Sequence, residues 1–569
     1  MRTSPPPRTT QLAAVSLAAA LALSSCGIFE EPPPPAEPVE EGESAAPGQA
    51  QPEEPSPDVS DSQSATSEAS ESEPTLEGQG ISAAHPLAVE AGEQILADGG
   101  NAADAAIATA FAVSVVEPFA SGIGGGGSAI VAGSDGEPTF YDYREVVNND
   151  GEIPESGTGI PGFTAGMGKL HEDHGSMEWD QLLAPARQLA AGGFSVSEFL
   201  ALRMTQPGGP AAVTELDHYA PGGEPLGAGD QLVQQELAET LQTLQTNGAE
   251  DYYTGELSQS LVETVEGVDA ESLADYEVIV TDPVRGQFGE RELIGPPPSL
   301  PGAPTIQMMQ IAEANGIADM TPGSADYVDT LSQAWLVAEE TVMTELGDPN
   351  FIQVPVDEMT DAQRNADIDL SAHTADQPVA GDSKAPNTTH ISVVDETGMA
   401  ISMTNTIMYF WGSGENVDGY FVNNHLSRFD AIDSAANEPE PGRRTVTWSN
   451  PMMVFDAEGR PELVIGSPGG HQILNILGTV FTQWGLQGAD LESAVQSPRF
   501  RAEGETLYLE ASHTPEQVAS LQDAGWSTEI WPNEQSSFGS VQPMEVDYES
   551  GELYSVDDHR RDGAHSILD

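Results

Sequence analysis

The chain of 569 residues reads as an α+β protein. Three observations predict this class. Helix-spaced apolar positions recur between Ala102 and Leu346, alternating strand patterns take over after Pro386, and 38% of all residues are hydrophobic, enough for a large core.

The charge balance excludes whole classes of function. The chain carries 92 Asp and Glu against 18 Lys and Arg, a formal net charge of −74. Phosphate contacts need clustered basic side chains, so a nucleic-acid partner is ruled out. Only two of the cations are lysines, Lys169 and Lys384. Such a surface suits high salt, where the screening length falls to ~3 Å at 1 M and like charges no longer push the fold apart. The acidity is not one tail: about 14 acidic residues lie between Cys26 and Gly80, and the remainder of the chain keeps about −60.

Arg2 and Arg8 precede an uncharged stretch that is shorter than the ~20 residues of a membrane span and reads as a signal-peptide core. It ends in Leu23-Ser24-Ser25-Cys26, similar to a bacterial lipobox. Residues 1–25 are therefore expected to be removed and Cys26 to be lipidated, which places the protein outside the cytoplasm, anchored to the outer face of the cell membrane. As the sole cysteine, Cys26 permits no disulfide within the chain. Residues 26–80 are rich in Pro, Glu, Ser, Gln and Ala and lack Lys and Arg, the composition of an unfolded tether.

Within 81–569, alanine-rich spacing predicts a buried helix over Ala102–Val116, ended by Glu117-Pro118. Ser121-Gly122-Ile123-Gly124-Gly125-Gly126-Gly127 follows and contains a formal GxGxxG, with Asp142 further on. A dinucleotide fingerprint needs a strand before its glycines and a helix after them. Here a helix precedes and strand-like 128–132 follows, and no GKS or GKT marks a phosphate loop. Further helices are expected at 167–174, 179–191, 231–245 and 325–346, a proline-rich loop at 296–304 and an exposed acidic loop at 367–386. Segments 390–395 and 400–404 alternate around Thr397-Gly398 as a hairpin. The rest is expected to stay strand-rich, at 462–465, 507–510 and 541–547.

Few residues are left to carry chemistry. His171 and His174 sit in a mixed-charge segment and read as surface histidines rather than metal ligands. No HExxH occurs, and a lipidated Cys26 leaves neither a thiolate ligand nor a thiol nucleophile. No metal and no other cofactor is expected. Ser467 lies in Gly466-Ser467-Pro468-Gly469-Gly470, where the proline departs from a GxSxG elbow. What remains is Asn387-Thr388-Thr389-His390, where the acidic loop meets the hairpin. If the peptide bond before Thr388 is cut, the freed α-amine, with a pKa near ~8, is a base beside its own hydroxyl. A Thr-Thr pair in an ordinary strand is the bland alternative.

From about Gly80 to Asp569 the sequence resembles the γ-glutamyltransferase family of N-terminal nucleophile hydrolases. The resemblance rests on ordered motifs: Gly99-Gly100-Asn101-Ala102, Glu117-Pro118 with the glycines to Gly127, Tyr143-Arg144-Glu145, Gly347-Asp348-Pro349, Thr388-Thr389-His390, Gly466 to Gly470, and Arg560-Arg561-Asp562-Gly563-Ala564. It implies a four-layer αββα sandwich and a precursor that cuts itself between Asn387 and Thr388. The products would be a large chain, 81–387, and a small chain, 388–569, that stay together as a heterodimer. It also implies that Thr388 takes the acyl group of a γ-glutamyl donor, such as glutathione, and passes it to water or to an amino-acid or peptide acceptor. Thr406 matches the family threonine that hydrogen-bonds the nucleophile, and Gly469 and Gly470 match the oxyanion donors. Arg144 matches the arginine that grips the donor's α-carboxylate, with a salt bridge as its alternative use.

Five positions depart from the family's donor site. Met408 stands where the family has an asparagine, and His425 and Arg428 stand where it has a glutamine or glutamate and an aspartate, all three serving the donor's α-ammonium. Thr447 and Trp448 replace paired serines that serve its carboxylate. A cation at position 428 repels an ammonium, so these departures point to donors with a carboxylate and no free α-ammonium. Such donors are γ-linked polyglutamate and glutaryl compounds of the cephalosporin-acylase kind. A shift of two residues would bring Asp430 to the amine site instead. A surface lipoprotein that only binds would keep the fold without any need of Thr388, Thr406, Gly469 and Gly470.

Overall fold

The computed structural model describes residues 76–133, 137–370, 386–531 and 538–569. Cys26, the tether, Lys384 and most of the acidic loop lie outside the described residues.

Two antiparallel sheets pack face to face. The first has seven strands in the order Ala564–Leu568, Gln79–Ala83, Pro386–Val394, Ala400–Tyr409, Gly126–Ala132, Pro138–Asp142 and Ile279–Thr281. The second has six, in the order Glu552–Tyr554, Gln542–Asp547, Pro461–Gly466, Met452–Phe455, Arg291–Gly295 and Val284–Phe288. Alternation along each strand decides which layer a side chain meets. Ile130, Phe140 and Val394 of the first sheet meet Met453, Val464 and Met544 of the second in an inner core. Their neighbours Ala129, Val131, Tyr141 and Val393 point outward into a core shared with helices. The outer face of the second sheet, through Met452, Val454, Leu463 and Ile465, also packs on helices. The layers therefore run helix, sheet, sheet, helix, and the αββα sandwich is the architecture found.

The first helical layer is built on Ala102–Val116. Asn101 and Asp104 close a capping box at its start, and all 15 of its residues are buried. It packs against the strand Pro386–Val394 and the helices Pro86–Ala97, Phe163–His174 and Trp179–Gly192. Alanine lets four neighbours approach one helix this closely, which is why this segment shows no polar face. The opposite layer contains Gly302–Ala314, Ala325–Thr344 and Ile473–Val480.

The expected helix at 231–245 starts later, as Gln235–Asn247, because Gln231–Leu232 pairs with Phe194–Ser195 as a short strand. The C-terminal portion is less strand-rich than its texture suggested. Ile473–Val480, Leu491–Gln496 and Pro515–Asp523 are helices, since a short apolar run does not distinguish a buried helix from a strand. His171 and His174 are half-buried rather than exposed. The first shares a 2.8 Å hydrogen bond with the Met177 carbonyl and the second one of 2.8 Å with the Tyr141 hydroxyl.

The first sheet interleaves both sides of the expected cut. Pro386–Val394 and Ala400–Tyr409 lie between Gln79–Ala83 and Gly126–Ala132, hydrogen-bonded to both. A cut after Asn387 would leave the two chains sharing one continuous sheet.

Candidate active site

Thr388 lies near the start of the strand Pro386–Val394, on the face turned toward the second sheet. The same face carries a polar ladder. His390 shares hydrogen bonds of 2.8 Å with Thr404 Oγ1 and 3.1 Å with Ser392 Oγ, and Ser392 Oγ donates to the Gln542 carbonyl at 2.8 Å. Ser402 Oγ, on the neighbouring strand, donates to the Ile465 carbonyl at 3.1 Å. Burial lowers the pKa of His390 to about 3, so the ring is neutral and acts as a fixed spacer. It fits because residue 466 is glycine: a Cβ there would lie 2.3 Å from the imidazole. The ladder locks the strand that carries Thr388 to Pro461–Gly466, whose end runs into the turn Ser467 to Gly470.

That turn needs its glycines. Gly469 has φ 144° and Gly470 φ 62°, conformations that side chains resist. It brings Gly470 into a narrow cleft with Thr388 and Thr406. Met408, Arg428, Thr447 and Trp448 form the rest of the wall together with Ser449 and Ile473, two residues that no motif had singled out.

Thr406 is placed by a β-bulge. Asn405 pairs with Thr389 and Met408 with Asn387, so the strand carries one extra residue there. The bulge holds Met408 in the left-handed region at φ 82° and turns its N–H onto Thr406 Oγ1, to which it donates at 2.8 Å. The Thr406 hydroxyl donates in turn to the Asn387 carbonyl oxygen at 2.6 Å. In the uncut chain Thr406 thus serves the carbonyl of the bond before Thr388. Arg561 grips the same junction: its Nη1 donates to Asn387 Oδ1 at 2.9 Å and to the Thr388 carbonyl at 3.3 Å. The motif that contains Arg561 was visible in the sequence, but nothing local tied it to Asn387.

Arg144 is engaged elsewhere. Its Nε and Nη2 donate to the two carboxylate oxygens of Asp142 at 2.9 and 2.6 Å, its Nη1 to the Thr445 carbonyl at 2.8 Å, and its Nη2 also to Ser299 Oγ at 3.0 Å. The structure shows the salt-bridge use of this residue, and Arg144 does not line the cleft. It sits one step behind Thr447, whose N–H donates to the Ser299 carbonyl. Desolvation would raise the pKa of Asp142, but the guanidinium groups of Arg144 and Arg444 hold it below its ordinary value.

The other substituted positions separate. His425 is buried, shares a short hydrogen bond with Glu145 through Nδ1, and stands outside the cleft wall. Arg428 is fully buried and in the wall, whereas Asp430 is exposed, so the two-residue shift does not occur. Trp448 packs its ring 5.6 Å from Trp335 and 6.1 Å from His471, filling the space behind the cleft. Among the described residues no group of three or more His, Cys, Asp or Glu could hold a metal ion.

The γ-glutamyltranspeptidase family model matches residues 88–568. The capsule biosynthesis protein CapD proenzyme of Bacillus anthracis is 32% identical over 487 residues, 85% of this chain and 90% of that protein. The glutathione hydrolase proenzyme of Bacillus subtilis strain 168 is 30% identical over 534 residues, again 85% of this chain and 90% of that protein. Cephalosporin acylase from Bacillus halodurans superposes with a TM-score of 0.76 over 89% of this chain and 98% of its own, at 22% identity, a likeness of fold. The chain belongs to the γ-glutamyltranspeptidase family.

Proposed function

We propose that the protein is a self-processing γ-glutamyl acyltransferase and hydrolase with Thr388 as its nucleophile. The observation that carries this reading is the 2.6 Å hydrogen bond from Thr406 to the carbonyl oxygen of Asn387. When Thr388 Oγ attacks that carbonyl carbon, negative charge develops on the oxygen that Thr406 already holds. The C–N bond breaks, the nitrogen takes the proton and becomes the α-amine of Thr388, and Asn387 is left as an ester on Oγ. Water then releases the Asn387 carboxylate. The mature Thr388 repeats this chemistry on the γ-carbonyl of a donor, with its α-amine accepting the hydroxyl proton and the N–H groups of Gly469 and Gly470 serving the oxyanion. Family membership and the glutathione hydrolase proenzyme among the relatives support the reading. On a denaturing gel the active protein should run as two chains and Thr388→Ala as one. An active, unsplit wild type would overturn the mechanism.

A second reading concerns the donor. Arg428 and Met408 in the cleft wall favour donors that carry a carboxylate and lack an α-ammonium, glutaryl compounds or γ-linked polyglutamate. We also propose attachment to the outer face of the cell membrane through lipidated Cys26, a reading supported by the N-terminal sequence alone. Cys26→Ser should move the protein from the detergent phase to the aqueous phase on temperature-induced separation. Equal partitioning of both proteins would refute the anchor.

A further inference from the structure

The glycine turn is followed by a buried histidine that the donor chemistry does not use. His471 is 2% exposed and does not line the cleft, whereas Gly470 and Ile473 on either side of it do. Its Nε2 lies 3.3 Å from Oε1 of Glu503, at the end of the strand Phe500–Glu503. Arg501 of the same strand holds that oxygen as well, at 2.6 Å. The Arg501 guanidinium is itself fixed against the rings of Tyr508 and Trp531, 4.6 and 4.7 Å from their centroids. Burial would raise the pKa of Glu503, but the His471 ring and the charge of Arg501 hold it below its ordinary value, so the carboxylate is ionised at neutral pH. An ionised carboxylate only accepts hydrogen bonds, so the imidazole must turn an Nε2 hydrogen toward it. The rest of the ring is wedged between two indoles, 6.4 Å from the centroid of Trp335 and 6.1 Å from that of Trp448. Trp335 is tied to the same strand, donating its Nε1 hydrogen to the Ala502 carbonyl at 3.1 Å, and Trp448 belongs to the cleft wall. Three consecutive residues, Arg501, Ala502 and Glu503, thus fix the surroundings of one imidazole.

The turn ahead of His471 needs such an anchor. The freedom that lets Gly469 and Gly470 adopt φ 144° and 62° also lets the turn move. Its upstream end is held by the Ser540 N–H, which donates to Ser467 Oγ at 3.3 Å. Downstream, His471 carries the first side chain after the two glycines. A backbone N–H stabilises a developing oxyanion best when its direction is fixed before the charge appears. We propose that His471 is a positioning residue, anchored on Glu503, that aims the Gly470 N–H at the oxyanion of acyl transfer. This inference rests on the acyl-enzyme reading above. Self-splitting draws on Thr406 for its carbonyl oxygen and does not need the anchor, so the two reactions of Thr388 should separate.

The test compares two rates in each protein: self-splitting on denaturing gels after synthesis, and release of p-nitroaniline from whichever of γ-glutamyl- and glutaryl-p-nitroanilide the wild type turns over. His471→Ala should split within about twofold of the wild-type rate and lose at least about tenfold in kcat, with KM within about twofold. His471→Gln, whose amide can donate to Glu503 from a similar reach, should recover most of the kcat. In a Glu503→Ala background, His471→Ala should cost less than about twofold more, because the anchor is already gone. If Glu503→Ala does not split, His471→Ala against His471→Gln decides alone. An unchanged kcat, an equal loss in splitting rate, or an undiminished loss in the absence of Glu503 would overturn the proposal and leave the nucleophile reading standing. A split wild type that releases no p-nitroaniline from either donor overturns both.

Discussion

Thr406 donates its hydroxyl hydrogen to the carbonyl oxygen of Asn387 at 2.6 Å, and Asn387 is the residue before Thr388. The hydroxyl is held from behind by the N–H of Met408, so its hydrogen has one direction to point. A donor fixed in place before an oxyanion forms needs no reorganisation when the charge appears, which is the physical basis of the role proposed for Thr406.

Removing that donor should slow self-processing. Thr406→Val is expected to split about 10²–10³-fold more slowly than wild type, and Thr406→Ser to retain most of the rate. A time course on denaturing gels after synthesis measures both. Splitting of the valine variant at the wild-type rate would show that the contact is structural only.

Arg428 should set donor preference. The wild type is expected to use glutaryl-p-nitroanilide better than γ-glutamyl-p-nitroanilide, and Arg428→Asp to move the ratio of kcat/KM toward the γ-glutamyl donor by at least about tenfold. A strong wild-type preference for the γ-glutamyl donor would refute the reading of Arg428.

The acid side of the stability profile should carry the signature of His390. Its pKa is lowered by burial from 6.5 to about 3, so between those values the unfolded chain binds a proton that the folded chain excludes. Its contribution is fully present above the unfolded value and is lost as pH falls, by about 1.4 kcal/mol per unit across the window. Denaturant unfolding in a Thr388→Ala background, where the chain stays whole, should show a shallower acid slope for His390→Gln. Parallel slopes would mean that the folded ring takes up the proton freely.

Gly466→Ala should damage the site from behind. The added methyl would lie 2.3 Å from the His390 ring, inside a fully packed inner face. Overpacking of this kind lowers stability by about 1–3 kcal/mol. Displacement of the turn that bears Gly469 and Gly470 should lower kcat more than it raises KM. An unchanged Tm and unchanged kcat would show that the ring can yield.

The legible parts of the fold were those with local causes. The helix Ala102–Val116 announces itself through an alanine run and a capping box whose two members are three residues apart. The start of Gln235–Asn247 was hidden because the preceding Gln231–Leu232 is decided by its pairing with Phe194–Ser195. Thr388, Thr406 and Gly470 were found by motif and meet in one cleft, while Ser449 and Ile473 reach it without any motif of their own. Glu117 stood in a quoted motif, yet that its buried carboxylate has no hydrogen-bond partner shows only in the folded chain.

By itself the sequence determined the acidic character of the chain and the buried alanine-rich helix, which depend on composition and periodicity and are local. The sandwich, the junction at Asn387-Thr388 and the glycine turn were expected from the resemblance carried by the ordered motifs. Only the tertiary structure decided which charges meet. Arg144 closes on Asp142 instead of opening into the cleft. Arg428 enters the cleft wall while Asp430 stays in solvent, because they lie on different sides of the short helix Arg428–Ala431. Arg561 reaches Asn387 because the strand Ala564–Leu568 that follows it closes the first sheet beside Gln79–Ala83, itself paired with the strand that bears Thr388. Electrostatic partnerships follow distance and burial, and these are set by chain closure rather than by spacing along the chain.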